Sequence, residues 1–309
     1  MSEPLKDRAR GRWAGILPAL GVSAAYLSGR HGPCPICNGG KDRFRFDNRD
    51  GTGSWFCSHC QAGDGIGLLM RLHGWDFKET AKRIDEIIGT VQVVRPKPER
   101  SEEDKREAMN RLWKSAGPVI ANDPVWRYLN ARTGLAAFPG CLRTASRCRY
   151  HDEPPTFHPA MIAMMRDSEG RPAILHRTYL TKDGRKADVE DCRRIMNGHV
   201  PKGSAVRVAE YADTLGIAEG IETALSATKL FDVPCWAALT AGFLADWIPP
   251  ADVKRVVIFA DNDVSYTGQA AAFALAKRLR TAGRQVDVEI PLNPDTDWND
   301  VLNLQEHAA

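Results

Sequence analysis

The last third of the chain alternates between short apolar runs and longer amphipathic stretches. Residues 213–218, 233–239, 256–260 and 286–290 have the length and composition of strands, whereas residues 221–230, a short segment near residue 244 and residues 269–282 have the pattern of helices. Strands therefore alternate with helices along the chain. This order predicts a mainly parallel sheet covered by helices.

The earlier part of the chain has shorter patterns, which predict helices and two β-hairpins. Helical patterns cover residues 13–27, 65–72, 77–88, 102–116 and 124–132, and Asp64 and Asp76 are the expected N-caps of the second and third. The hairpins pair residues 41–46 with 54–56 and residues 159–166 with 172–180. Residues 90–104 contain two prolines and mixed charges, which indicates an exposed linker at a domain boundary.

The composition predicts a cytoplasmic protein with two or three domains. The 309 residues are 43% hydrophobic, and no apolar run approaches the ~18 residues of a membrane helix. Residues 1–6 lack an apolar signal region, so we expect a cytoplasmic location, and without a long apolar run we expect no membrane contact. The net charge of +3 combines +11 over residues 1–207 with −7 over residues 208–304. This asymmetry indicates nucleic-acid contact by the basic N-terminal part and metal-dependent phosphate chemistry in the acidic C-terminal part. Two ordinary solvated surfaces would also produce it.

Two Cys-x-x-Cys pairs near the N-terminus have the spacing of a zinc ribbon, with nineteen residues between the pairs. Four thiolates complete a closed tetrahedral shell, so we expect a structural zinc ion. The alternatives are a redox role, a chance pairing, or His31 and His59 as ligands. The expected zinc ligands are Cys34, Cys37, Cys57 and Cys60.

Basic and aromatic residues alternate in the first hairpin. Strand geometry puts Arg43 and Arg45 on one face and Phe44 and Phe46 on the other. Such a surface can bind single-stranded nucleic acid through charge and stacking. For the arginines we favour nucleic-acid binding, and for the aromatics, with Trp55, we favour the core of the ribbon.

The region from residue 136 to 207 is basic and contains the second hairpin. Arginines and lysines here are candidates for binding a nucleotide triphosphate or a nucleic-acid backbone, and ordinary surface charge is the alternative for each of them. We select Arg177 and Lys202 as candidate contacts. Arg193, Arg194 and Arg207 belong to the same basic group.

Acidic residues follow two of the strands predicted in the last third. Glu219 follows one strand, and Asp261 and Asp263 follow another. The carboxyl ends of parallel strands form ligand sites, and converging carboxylates suit Mg²⁺ or Mn²⁺ and phosphate chemistry. Asp297 and Asp300 are possible further ligands, but Asp297 could equally be a helix N-cap.

The N-terminal motifs resemble a known family. They are His31-Gly32-Pro33-Cys34-Pro35-Ile36-Cys37, Lys41-Asp42-Arg43-Phe44-Arg45-Phe46, Gly53-Ser54-Trp55-Phe56-Cys57-Ser58-His59-Cys60 and Gly63-Asp64-Gly65. Together they resemble the zinc-binding domain of phage and plasmid primases, especially that of satellite-phage primase-helicases. The resemblance implies a module that helps to read a single-stranded template.

The C-terminal motifs resemble the Toprim domain of bacterial-type primases and topoisomerases. They are Glu219-Gly220-Ile221-Glu222-Thr223-Ala224-Leu225-Ser226, Ala260-Asp261-Asn262-Asp263 and Asp297-Trp298-Asn299-Asp300-Val301-Leu302. The resemblance implies that Glu219 is the general acid or base and that Asp261 and Asp263 hold Mg²⁺. The familiar primase pattern has a glycine three residues after the second aspartate, whereas Gly268 follows Asp263 by five, so the loop is longer here.

These observations predict an α+β multidomain DNA primase. We expect it to make short RNA primers from ribonucleoside triphosphates on single-stranded DNA, for a phage or plasmid, with a separate replicative helicase because no G-x-x-x-x-G-K-[ST] loop is present. A Toprim nuclease and a non-catalytic DNA-binding regulator are the alternatives, and a topoisomerase has no room for its strand-passage domains. The expected segments are an N-terminal helical segment (1–30), the zinc ribbon with trailing helices (31–90), a linker and helical connector (91–135), a basic β-rich subdomain (136–207) and the Toprim domain (208–309).

Overall fold

The computed structural model describes residues 3–92, 101–151 and 154–308. The chain divides into two compact units, Met1–Glu99 and Arg100–Ala309. The linker predicted over residues 90–104 falls largely on residues 93–100, which lie outside the described residues. Among the described residues, no helix combines the length and the apolar character needed to span a bilayer.

The first unit surrounds a small antiparallel sheet with short helices. Its strands, in sheet order, are β1 (Phe44–Phe46), β2 (Trp55–Cys57) and β3 (Gln61–Gly63). Its helices are α1 (Leu5–Arg8), α2 (Trp13–Ala19), α3 (Gly65–His73) and α4 (Phe77–Ile87), with 3-10 turns at Ala24–Leu27 and Arg49–Gly51. Asp64 and Asp76 cap α3 and α4 through their side chains, which confirms both predicted N-caps.

Aromatic side chains form the core of this unit. The Phe44 and Trp55 rings stack with 5.8 Å between their centroids. Phe44, Phe46 and Trp55 are each at most 4% exposed, which confirms the interpretation of these aromatics as core. The single helix predicted over residues 13–27 is wrong: α2 ends at Ala19, and Gly21, at φ +89°, separates it from the following turn.

The second unit is built on one ten-stranded mixed sheet. Its strands are β4 (Gly117–Pro118), β5 (Leu142–Arg149), β6 (Phe157–Arg166), β7 (Pro172–Tyr179), β8 (Arg193–Ile195), β9 (Ala205–Val206), β10 (Thr214–Ala218), β11 (Cys235–Ala237), β12 (Arg255–Phe259) and β13 (Gln285–Glu289). Its helices are α5 (Glu102–Ser115), α6 (Pro124–Thr133), α7 (Ile221–Phe231), α8 (Ala241–Asp246), α9 (Thr267–Thr281) and α10 (Trp298–Ala308).

The sheet joins a parallel region to an antiparallel one. The main path runs β13-β12-β10-β11-β9-β6-β5-β4, and β7 and β8 extend from β6. β10 pairs in parallel with β11 and β12, and β12 pairs in parallel with β13, which confirms the predicted parallel region. β6 and β7 form the predicted hairpin. β11 is shorter than the strand predicted over residues 233–239, and Leu239 has a left-handed backbone with φ +75°.

Strand β12, which lies between β13 and β10, is buried on both faces. Val257 and Phe259 pack into one hydrophobic core, and Val256 and Ile258 pack into a second core on the opposite face. Burial on both faces explains why this strand is a continuous apolar run instead of an alternating one. The strand therefore holds its carboxyl end, and the acidic residues that follow, in a fixed position beside β10.

Candidate metal centres and nucleotide site

The two cysteine pairs meet in the first unit as a compact group of four thiols. One Sγ atom from each of Cys34, Cys37, Cys57 and Cys60 lies within 4.8 Å of the others, and Cys34 and Cys57 are buried. The Cys60 N–H donates a hydrogen bond to Cys57 Sγ at 3.4 Å, which keeps the second pair in its turn. Four sulfurs at this separation fit the tetrahedral shell of a structural zinc ion, with Zn–S bonds of about 2.3 Å.

Arg45 in β1 and Arg43 directly before that strand both have neighbours within the first unit. The Arg45 Nε–Asp47 Oδ1 distance is 2.6 Å, so this guanidinium is paired at the surface. The Arg43 side chain lies against Gly39 and Gly40, where an added Cβ would meet its guanidinium. Burial raises the pKa of the Cys37 thiol, but its interactions with Cys60, Cys34, the Gly39 backbone and Arg43 outweigh burial and lower the pKa to about 7. Nucleic-acid binding by Arg43 and Arg45 stays a prediction.

In the second unit, acidic side chains follow the carboxyl ends of two adjacent strands. Ala218 of β10 pairs with Phe259 of β12, so Glu219 and Asp261 follow neighbouring strand ends. Burial, together with the charges of Asp297, Glu219 and Asp263, raises the pKa of Asp261 to about 7. Burial and Asp263 likewise raise the pKa of Glu219. The carboxylates therefore act on one another electrostatically.

Asp261 provides a direct test of whether a cation fits this place. Its Oδ1 atom is buried and accepts no hydrogen bond from any described residue. A buried carboxylate oxygen without a partner, close to three other carboxylates, is destabilised unless a positive charge compensates it. Hard oxygen donors of this kind fit Mg²⁺ or Mn²⁺. The carboxylate oxygens lie farther apart than the thiols. Among the described residues, the four cysteines are the group whose ligand atoms all lie within 4.8 Å of one another.

Gly268 explains how the longer loop after Asp263 is accommodated. Its N–H donates a hydrogen bond to Asp263 Oδ2 at 2.8 Å. A Cβ at this position would lie 2.9 Å from the same oxygen and 3.1 Å from the backbone oxygen of Asp261. Gln269 donates hydrogen bonds to the Asp263 backbone oxygen and to Asn262 Oδ1, both at 3.0 Å. The start of α9 therefore holds the acidic loop, although the glycine comes five residues after Asp263.

Asp297 and Asp300 cap the N-terminal end of α10. Asp297 Oδ1 accepts hydrogen bonds from the N–H groups of Asn299 and Asp300, and Asp300 Oδ2 accepts one from the Asp297 N–H. Burial raises the pKa of Asp297, and its charge acts on Asp261, whereas Asp300 is exposed. Asp297 is thus both a cap and a neighbour of the acidic group. A role for Asp297 or Asp300 as a metal ligand stays a prediction.

A buried carboxylate beside the acidic group has no counterpart among the predicted site residues. Glu222 is 3% exposed, and it accepts hydrogen bonds from Tyr128 and from Arg193 Nη2, the latter at 3.0 Å. Burial raises its pKa, but the charge of Arg193 and the bond from Tyr128 outweigh burial and lower the pKa to about 2. The charge of Arg193 also acts on Glu219 and Asp261. Glu222 and Tyr128 therefore hold the positively charged Arg193 side chain beside the predicted catalytic residues Glu219 and Asp261.

The two basic residues selected in the sequence lie in different surroundings. Arg177 is 8% exposed on β7, and its guanidinium lies 5.6 Å from the ring centroid of Tyr179. Lys202 is exposed, with 3.8 Å between its Nζ and Asp246 Oδ1. Binding of nucleotide or nucleic acid by either residue stays a prediction. Arg193 and Arg132 are basic side chains whose charges act on the acidic group, Arg193 on Glu219 and Asp261 and Arg132 on Asp297.

Comparison with known families identifies three segments of the chain. Residues 29–66 match the zinc-binding domain of primase-helicase, and residues 214–307 match the Toprim domain. The chain has a primase-type domain architecture. Between these two segments, residues 103–208 match a domain of unknown function, DUF7146. The zinc-binding and Toprim segments thus lie on either side of a central segment, residues 103–208, that matches a domain of unknown function.

Several solved primase structures align with this chain at low sequence identity. The zinc-binding and RNA polymerase domains of the Aquifex aeolicus primase are 14% identical, with 100% of this chain and 84% of that chain covered and a TM-score of 0.42. The primase fragment of the bacteriophage T7 primase-helicase protein is 16% identical, with coverages of 90% and 96% and a TM-score of 0.40. The E. coli primase catalytic core is 12% identical, with coverages of 66% and 70% and a TM-score of 0.36.

Proposed function

We propose that this chain is a DNA primase that joins ribonucleotides on a single-stranded DNA template by metal-dependent nucleotidyl transfer. The observation that carries the proposal is the buried, unpartnered oxygen of Asp261 beside Glu219, Asp263 and Asp297. Such a group suits a divalent cation and the phosphate chemistry that depends on one. The primase-type architecture favours nucleotidyl transfer over other reactions of phosphate esters.

Asp261, Asp263 and Glu219 would hold Mg²⁺ or Mn²⁺. When bound, the cation supplies positive charge to the phosphate oxygens of a nucleoside triphosphate. Glu219, whose pKa is raised by burial and by Asp263, would accept the proton of the 3′-hydroxyl as its oxygen attacks the α-phosphorus and pyrophosphate leaves. Arg193, held by Glu222 and Tyr128, would bind phosphate oxygens and keep the triphosphate in line with the attacking oxygen.

The first unit would bind the template. Its zinc site holds a small sheet whose Arg43 and Arg45 are proposed contacts for the backbone of single-stranded DNA. Strand separation would come from a helicase outside residues 1–309, and the resemblance to phage and plasmid primases leads us to propose replication of such an element.

The proposal is tested by following synthesis and cleavage in the same incubation. The full chain is supplied with end-labelled single-stranded DNA, differently labelled ribonucleotides, and Mg²⁺ or Mn²⁺. New short RNA with intact DNA is the expected result. DNA fragments without new RNA would identify a nuclease instead, and DNA binding with neither product would identify a regulator; either result would overturn the proposal.

A further inference from the structure

Apolar side chains are exposed directly beside the acidic strand ends. Val264 is 65% exposed and Tyr266 is 71% exposed on the loop that follows Asp263. On the loop after β13, Leu292 is 97% exposed. Asn262 joins the two loops, because its Nδ2 donates hydrogen bonds to the backbone oxygens of Pro291 and Asn293 at 2.8 and 3.1 Å. Packing within this unit does not account for these side chains.

The backbone that carries Tyr266 is fixed and strained. Tyr266 has φ 59° and ψ 15°, a left-handed conformation that glycine or asparagine adopts at lower cost. Its N–H donates a hydrogen bond to the Asp263 backbone oxygen at 3.0 Å, and its own backbone oxygen accepts one from the Ala270 N–H at 2.9 Å. The Val264 N–H is bound by Asp295 Oδ1. A strained residue held on both sides is a reason to look for a function of its side chain.

We infer that Tyr266 is a stacking surface for the base of a nucleotide whose phosphate lies at the acidic group. This inference rests on the proposed function of that group. The hydrogen bond between the Tyr266 N–H and the Asp263 backbone oxygen, at 3.0 Å, holds the Tyr266 backbone against the residue that carries the acidic side chain. Val264 and Leu292 would add apolar contacts at the edges of the base.

The charge around the loop also favours a base as the group bound there. Asp263 begins the loop that carries Tyr266, and Asp295 Oδ1 accepts a hydrogen bond from the Val264 N–H on the same loop. Negative charge at the loop repels a phosphate placed on the ring but not an uncharged heterocycle. Stacking uses the π-face that all bases possess, so we expect little preference among bases. The tyrosine hydroxyl is not needed for stacking, and phenylalanine should replace tyrosine.

The experiment compares ligands with and without a base. Binding of Mg²⁺-ATP, Mg²⁺-CTP and Mg²⁺-triphosphate to the full chain is measured by calorimetry for the wild type, Tyr266→Ala, Tyr266→Phe and Tyr266→Gly. Phe273→Ala is the matched control, because Phe273 is 55% exposed on α9. Tyr266→Ala should weaken both nucleotides about tenfold and leave triphosphate unchanged. Tyr266→Phe and Phe273→Ala should bind like the wild type, and Tyr266→Gly should lose nucleotide affinity without a lower Tm.

A second arm asks whether the base belongs to a free nucleotide or to a strand. A short single-stranded DNA is compared with the same DNA carrying an abasic 3′ end, and a Tyr266→Ala defect confined to the ordinary strand also supports stacking. The inference would be overturned if Tyr266→Ala lost as much affinity for triphosphate as for the nucleotides, or lost affinity for no ligand. A change in self-association alone would also overturn it. A wild type that binds ATP yet makes no primer would overturn the proposed function and leave the stacking result intact.

Discussion

Arg193 and Glu222 form an ion pair with 3.0 Å between Nη2 and Oε1, in which the Glu222 side chain is 5% exposed and the Arg193 side chain is 43% exposed. The Tyr128 hydroxyl donates a hydrogen bond to the same carboxylate oxygen. Because little water reaches Glu222, the two partners take the place of solvent around its charge. Loss of either partner should therefore cost more than loss of an exposed ion pair.

Replacing Arg193 with alanine should lower the free energy of unfolding of the second unit by roughly 3 kcal/mol, because Glu222 is left charged and buried with Tyr128 alone. The control is Arg255→Ala, whose pair with Asp287 is 46% and 39% exposed and should be worth less than about 1 kcal/mol. Urea unfolding of both variants gives the comparison. Equal losses in the two variants would contradict a special role for the buried pair.

The stability that Glu222 contributes should depend on pH. Its folded-state pKa is lowered to about 2 from an ordinary value of 4.5, so the contribution is complete above pH 4.5 and is lost as the pH falls towards 2. The difference in free energy of unfolding between the wild type and Glu222→Gln should be on the order of 3 kcal/mol above pH 5 and shrink below pH 4.5. Denaturant titrations at pH 6, 4 and 3 measure this difference. A difference independent of pH would mean that the carboxylate charge is not what matters.

Gly268→Ala should displace Asp263, because the added Cβ would lie 2.9 Å from its carboxylate oxygen. We expect a destabilisation of about 1–3 kcal/mol and weaker Mn²⁺ binding. The control is Gly242→Ala in α8, where the nearest atom to the added Cβ is Thr240 Oγ1 at 3.9 Å. Thermal unfolding and Mn²⁺ titration of both variants distinguish them. Unchanged Mn²⁺ affinity in Gly268→Ala would show that the Gly268 contact is dispensable for the metal.

Removal of zinc should unfold the ribbon. The small core of the first unit includes Cys34 and Cys57, so the metal contributes directly to its folding. We expect one zinc ion per chain by metal analysis, and rapid proteolysis of residues 31–66 after chelation or in Cys57→Ser. Cys192→Ser, which changes a cysteine outside the cluster, should keep its zinc and its resistance to protease. Full resistance after zinc removal would contradict a structural role.

The sequence predicts those parts of the site that depend on local pattern. Glu219 and Asp261 were identifiable because each follows an apolar run that becomes a buried strand, and parallel pairing then brings the two strand ends side by side. The roles of Tyr128 and Arg193 depend on pairing with Glu222 across 94 and 29 residues of chain, and no local pattern encodes such contacts. Glu222 is part of the Toprim-like motif in the sequence, but its burial and its two partners are visible only in the structure.

Loop geometry was the other feature that spacing could not predict. From the sequence, the distance between Asp263 and Gly268 is a departure from the familiar primase pattern. In the structure, the intervening residues turn back, so that the Gly268 N–H still reaches the Asp263 carboxylate at 2.8 Å. Strand β3 could not be predicted from the sequence either, because Gln61–Gly63 is three residues long and lacks the composition of a strand. This segment is extended because it pairs with β2.

The most direct measurement of the central claim is template-dependent RNA synthesis by the wild type, Asp261→Asn and Asp287→Asn. Asp287 lies on β13 and is paired with Arg255 at the surface, so its substitution is a matched loss of one acidic charge. We predict short RNA products from the wild type and Asp287→Asn with Mg²⁺ or Mn²⁺, and at least about 100-fold less from Asp261→Asn. No RNA from the wild type with either metal, or equal synthesis by Asp261→Asn, would contradict the account.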